Sequence, residues 1–245
     1  MAFSLILRNL WLVQLALLGL LLLVIIGRKL WKKLPVFAAY SAFTLVENLL
    51  GYAVQGSRVY FFVYLVGESI NVILGLGLVY EIFTSLLSSH AALRRLATLI
   101  FSVFAAALLL LAGTVIYTRP AFDANHAGAT LLVVEEAARI VEVGLIMLLV
   151  GFSAVFGLHW RQHLFGIALG LGISTAVKLA VVTLLPHAGS GKEFLILASA
   201  ASYDFNLLVW LGYLLAPERV PSAAELPKRA QLEQWNRAIM ELINQ

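Results

Sequence analysis

Along this chain apolar residues come in long unbroken blocks, separated by short polar interruptions and without the strict alternation of a half-buried strand. A helix needs roughly 20 mostly apolar residues to cross the hydrocarbon core of a bilayer. Seven blocks meet that length: Phe3 to Gly27, Pro35 to Val54, Val59 to Phe83, Leu96 to Tyr117, Ala129 to Gly157, Leu164 to Leu185, and Phe194 to Ala216. The first ends in Arg28-Lys29 instead of a small-residue cleavage site, so it reads as a retained helix and not a signal peptide. The pattern predicts an all-α polytopic membrane protein, with a seven-helix transmembrane bundle over residues 1–217 and a cytoplasmic tail over 218–245.

Composition sharpens this. Of 245 residues, 62% are apolar and 12% charged, and the mean hydropathy is +0.95. A soluble domain carries about twice that charged fraction. A secreted enzyme, a nucleic-acid-binding domain and a disordered regulator are thereby excluded. The absence of cysteine removes disulfides, thiolate metal sites and cysteine nucleophiles.

The basic residues predict orientation. Arg28, Lys29, Lys32, Lys33, Arg94, Arg95, Arg161, Arg219, Lys228, Arg229 and Arg237 fall on one side, eleven in all, against Arg8, Arg58, Arg119 and Lys192 on the other. That excess puts the amino terminus outside and the carboxyl terminus in the cytoplasm, with the inner membrane as the expected location. Trp31, Tyr117 and Trp160 fall where aromatic anchors belong. In the tail, Leu232, Trp235, Ile239 and Leu242 share one face of a short amphipathic helix. That face suits either the inner leaflet or a protein partner.

Ionisable groups inside the blocks carry the chemistry, because each is costly in lipid unless it meets protein or water. They are Glu47, Glu68, Glu135, Glu136, Arg139, Glu142, Lys178 and Asp204, with Glu81 near an inner end within reach of the headgroups. At about 1.5 Å per residue, Glu47, Glu68, Glu142, Lys178 and Asp204 come to similar heights on five helices. This predicts one shared polar centre, with Asn71 on the Glu68 stripe. The expected pairs are Arg139 with Glu135 or Glu142, and Lys178 with Glu68 or Asp204. Six carboxyls against two cations leave four excess negative charges if all ionise. That surplus points to proton sensitivity or to a cationic or hydroxyl-rich ligand. The plain alternative is a set of ion pairs that fix helix register.

Other motifs exclude more than they assign. None of the five histidines falls in mid-span, which argues against a buried haem or histidine metal site. Gly189-Ser190-Gly191-Lys192 lacks the glycine spacing of a phosphate-binding loop. Glu135-Glu136-Ala137-Ala138-Arg139 resembles the Glu-Glu-x-x-x-Arg motif of intramembrane CAAX-type proteases, but is one residue short and lacks the partner histidines. A seven-helix plan with the amino terminus outside is similar to microbial rhodopsins, yet the last helix has no lysine. Gly166, Gly170 and Gly172 predict close helix packing. A faint similarity between the Trp31-Lys32 and Trp160-Arg161 regions would fit the parallel repeats of SWEET-type sugar transporters.

Tyr80-Glu81-Ile82-Phe83, then Leu93-Arg94-Arg95-Leu96, then Trp160-Arg161 before a glycine-rich helix form a pattern over about 210 residues of topology. On it the chain resembles bacterial seven-helix integral membrane proteins of no assigned activity. More loosely it is similar to the seven-helix sensory regions that precede bacterial kinases and cyclases. The expectation is a non-enzymatic membrane sensor or binding protein without cofactor or metal. Its partners would be the lipid bilayer, a protein at the cytoplasmic face, and an unknown small ligand or proton, with no nucleic acid. A small-solute or cation transporter, proton-coupled or not, and an accessory subunit of a larger membrane complex are the alternatives.

Overall fold

The structure is a computed structural model and describes residues 2–54, 59–87, 91–118, 127–155, 162–217 and 234. Among these, seven α-helices follow one another and no strand occurs: α1 (Ala2–Gly27), α2 (Pro35–Ala53), α3 (Tyr60–Leu86), α4 (Ala91–Thr118), α5 (Ala127–Val155), α6 (Gln162–Leu184) and α7 (Lys192–Leu215). Their bounds lie within a few residues of the blocks read from the sequence. Five segments are long and apolar enough to cross a membrane: Ile6–Gly27, Phe62–Leu86, Glu135–Val155, Gln162–His187 and Lys192–Leu215. In α4 the apolar stretch Thr98–Thr114 is shorter. The amphipathic tail positions Leu232, Trp235, Ile239 and Leu242 lie outside the described residues.

Between α1 and α2 the chain turns at Lys29, in the left-handed region at φ 53°, through a 3₁₀ turn over Leu30–Lys32. Pro35 then opens α2 at the first helical position, where its fixed φ suits a helix and its missing N–H is not needed. The next two amides, Val36 N and Phe37 N, donate to Glu81 Oε1 at 2.8 Å and Oε2 at 2.9 Å. Glu81 therefore does not reach for headgroups, as the sequence suggested. It is buried and binds the amides at the start of α2, where helix amides lack partners of their own. At the same end, Arg28 donates to Leu215 O at the close of α7.

The packing of helix on helix defines a ring. α1 packs on α2 and α7, α2 on α3, α3 on α5, α5 on α6, and α6 on α7. Outside the ring α4 lies along α5, and the Phe101 ring packs at a tilt against Phe83 of α3, centroids 5.2 Å apart. As the glycine pattern predicted, α6 and α7 approach closely: a Cβ at Gly166 would collide with Tyr213, and one at Gly170 with Asn206 and Trp210.

The ring has two different interiors. At the end where α1 and α7 finish it is a solid apolar core containing Leu18, Leu21, Phe37, Leu78, Phe83, Leu149, Leu207 and Trp210. Trp210 is fully buried, edge-on to Phe37 at 5.1 Å, and donates its indole N–H to Ile167 O at 3.1 Å. At the opposite end the ring opens.

Candidate functional site

The open end holds a cavity of about 740 Å³. Its walls come from the first halves of α1 and α3, from α2 between Tyr40 and Tyr52, and from positions within α5, α6 and α7. α1, α2, α3 and α7 contribute residues at helical spacing, and α5 and α6 one residue each. Arg8, Trp11 and Gln14 come from α1, and Tyr40, Thr44, Glu47, Asn48 and Gly51 from α2. Tyr60, Tyr64, Glu68 and Asn71 come from α3, with Arg139, Lys178, Ser199 and Tyr203 completing the lining. The volume falls in the range of small-molecule sites.

Arg139 organises one wall. Its Nη2 donates to Glu68 Oε1 on α3, and its Nη1 bonds Glu142 Oε2 one turn along α5 at 2.8 Å. Glu135 Oε1 stands 4.0 Å from Nη2. One planar guanidinium thus gathers three carboxylates, which its fork geometry suits better than a lysine point charge would. Thr175 of α6 adds a donor to Glu142 Oε2 at 3.3 Å. Glu142 is 1% exposed and lies beneath the cavity, not on its wall. Two glycines of α3 make room for neighbouring carboxylates. A Cβ at Gly75 would overlap Glu142 Oε1, and one at Gly67 would overlap the carboxyl of Glu47.

The wall formed by α1, α2 and the first half of α3 is built from amides and rings. Asn71 donates to Glu47 Oε2, and its own Oδ1 accepts from Thr44 Oγ1 at 3.1 Å. Asn48 Oδ1 accepts from Trp11 Nε1 at 3.0 Å and from Gln14 Nε2 at 3.3 Å. The Trp11 and Tyr52 rings lie 4.8 Å apart, and Tyr60 and Tyr64 stack at 6.5 Å. These two aromatic pairs frame the mouth.

Lys178 differs from the expected pairing. Its Nζ sits 5.2 Å from the centre of the Tyr203 ring, and no carboxylate among the described residues lies within ion-pair distance. Glu68, one of its two expected partners, is taken by Arg139. The other, Asp204, does not line the cavity. It is buried on α7 with neither carboxylate oxygen hydrogen-bonded among the described residues, and the same holds for the side-chain amide of Asn206 two residues on.

Of the eight residues predicted for a polar centre, Glu47, Glu68, Asn71, Arg139 and Lys178 line one cavity. Glu135 and Glu142 join it through Arg139. Asp204 stands apart because the residue after Tyr203 is turned about 100° round the helix. The sequence pointed to Tyr64 and Tyr203 beside the polar centre, but the α1 stripe and the Tyr40, Tyr52 and Tyr60 rings were not singled out. Their signal was present in Tyr40, Thr44, Glu47 and Gly51 on α2, and in Arg8, Trp11 and Gln14 on α1, all three or four residues apart. Among the described residues no group of three or more histidine or acidic side chains is placed to hold a metal ion. Comparison with family models, curated proteins and solved structures finds no match for this chain.

Proposed function

We propose that this chain is a seven-helix protein of the cytoplasmic membrane that binds a small ligand from the outer side and reports its occupancy to a partner at the inner face. One observation carries the reading: a charged, aromatic-lined cavity opens at one end of the helix ring, and an apolar core fills the other. Intramembrane charges gathered around a cavity mark ligand or ion sites more often than packing accidents. The eleven-to-four excess of Lys and Arg supports placing the cavity end outside. In this reading α2 and α4 cross the membrane with the other five, and the tail after Pro217 supplies the contact with the partner.

Transport of a small solute is the second reading. It is favoured by the cavity volume, which accommodates a whole small molecule, and by access from one end only, as in one state of an alternating carrier.

The lack of cysteine allows a direct test. Ser199→Cys places a thiol on the cavity wall, and Lys33→Cys places one on the exposed turn at the closed end. A membrane-impermeant maleimide is expected to label the first from outside intact cells and the second only in inside-out vesicles. The reverse pattern would overturn the orientation, and failure to label Ser199→Cys from either side would overturn the cavity reading. Substrate flux in proteoliposomes would move the conclusion from sensor to carrier.

A further inference from the structure

Five charged side chains line the cavity: Arg8, Glu47, Glu68, Arg139 and Lys178. Arg8 is exposed at the mouth, where water screens it. Arg139 is engaged by Glu68 together with Glu142 and Glu135, so it is not free to serve a ligand. Two lining charges, Lys178 and Glu47, make no ion pair among the described residues. The Lys178 ammonium sits over the face of Tyr203, with the carboxylates around Arg139 beyond ion-pair distance. The Glu47 carboxylate accepts a hydrogen bond from the neutral amide of Asn71 and has no ion-pair partner among the described residues. They stand on different walls, since α2 packs between α1 and α3 while α6 packs between α5 and α7.

An isolated charge in a site walled by protein is costly until it is paired. A simple anion would satisfy Lys178 and leave Glu47, and a simple cation would do the opposite. A molecule bearing both charges satisfies both and leaves the cavity's net charge unchanged. The aromatic faces of Tyr40, Tyr203 and the Trp11–Tyr52 pair suit the carbon skeleton and the cationic end of such a molecule.

Building on the reading that the cavity binds a ligand, we propose that this ligand is a small amphoteric molecule. Its anionic group, a carboxylate or equivalent, pairs with Lys178, and its protonated amine pairs with Glu47. The spacing of its two charges matches the gap between the two walls.

The test uses the full chain carrying Ser199→Cys, one turn from Tyr203, in lipid nanodiscs. The rate of thiol modification by a charged methanethiosulfonate is followed with and without probes. The probes are glycine, β-alanine, γ-aminobutyrate, aminohexanoate, leucine and phenylalanine, with butyrate and butylamine as single-charge controls. At least one amphoteric probe is expected to slow modification about tenfold, with neither control doing so at the same concentration.

For that probe, adding Glu47→Gln should weaken binding about tenfold or more and turn the preference toward its deaminated analogue. Lys178→Met should turn it toward the decarboxylated analogue. An exchanged preference cannot arise from misfolding, which would abolish binding of both analogues. Where either variant fails to fold, Glu47→Asp and Lys178→Arg keep the charges and should keep the amphoteric preference. Protection by butyrate or butylamine equal to that by the amphoteric probes would overturn the proposal. So would free modification with every probe present, which leaves the cavity itself standing. A thiol that never reacts overturns instead the cavity reading beneath it.

Discussion

The two halves of this helix ring are made from the same helices yet hold together by different means. α3 runs from Tyr64, Glu68 and Asn71 in the cavity half to Leu78, Ile82 and Phe83 in the closed half. α2 passes from Glu47 and Thr44 to Phe37, and α7 from Tyr203 to Leu207, Trp210 and Leu214. Large apolar side chains lie exposed round the outside, among them Leu23 on α1, Ile73 on α3, Leu110 on α4, Met147 on α5 and Leu208 on α7. The contrast is therefore internal. Lipid is as apolar as leucine, so apolar surface gains little from leaving it, and the closed half depends on close packing. The cavity half instead depends on a few directed polar contacts, each of which matters individually.

The sharpest way to break that contrast is at Arg139. Arg139→Met removes the cation shared by Glu68, Glu142 and Glu135 and leaves their carboxylates crowded without a counter-charge. Breaking a buried pair from one side costs about 3–5 kcal/mol. The variant should unfold at clearly lower temperature or denaturant in detergent, with much less folded protein recovered. Arg139→Lys keeps a charge but not the two-pronged geometry, and should fall between. A wild-type midpoint for Arg139→Met would show that the carboxylates are not held by this residue.

A smaller effect separates two carboxylates within the same half. Gly75→Ala drives a Cβ into Glu142, which is buried and tied to both Arg139 and Thr175, so it has nowhere to move. Gly67→Ala meets Glu47 in the same way, but Glu47 borders the cavity and can retreat into it. Overpacking a fitted site costs about 1–3 kcal/mol. Gly75→Ala should sit toward the top of that range and Gly67→Ala toward the bottom, both read from unfolding midpoints. Equal losses would mean that the cavity gives Glu47 no more freedom than the interior gives Glu142.

The sequence made helices and general polarity legible because both depend on local pattern. Apolar blocks fix where helices form, and the four-and-three spacing of Glu135, Arg139 and Glu142 put them on one stripe, where the pair of Arg139 and Glu142 indeed forms. Which residues meet across helices was harder to read, because it depends on rotation and depth together. Lys178 and Asp204 come to similar heights, but α7 turns Tyr203 to the cavity and Asp204 away from it. Gly67 and Gly75 carry no charge to draw notice, yet they decide how closely two carboxylates approach α3. Glu81 looked like a headgroup contact from depth alone. Its true partners are backbone amides, which a side-chain inventory omits.

Glu81 also gives the finest test of the comparison, since it is a directed polar contact placed in the half that otherwise depends on packing. Its two oxygens receive Val36 N and Phe37 N separately, at the end of α2 where the helix dipole favours negative charge. Glu81→Gln keeps one acceptor, turns the other into a donor facing an amide, and removes the charge. Phe37 and its ring contact with Trp210 hold the same turn by packing, so most of the structure should persist. The expected loss is about 1–2 kcal/mol, the scale of a hydrogen bond to a charged group. Hydrogen exchange should localise it to the first turn of α2, leaving the amides of the cavity half unchanged. If exchange instead rose around Glu47 and Asn71, α2 would be transmitting the loss along its length, and the two halves would be coupled.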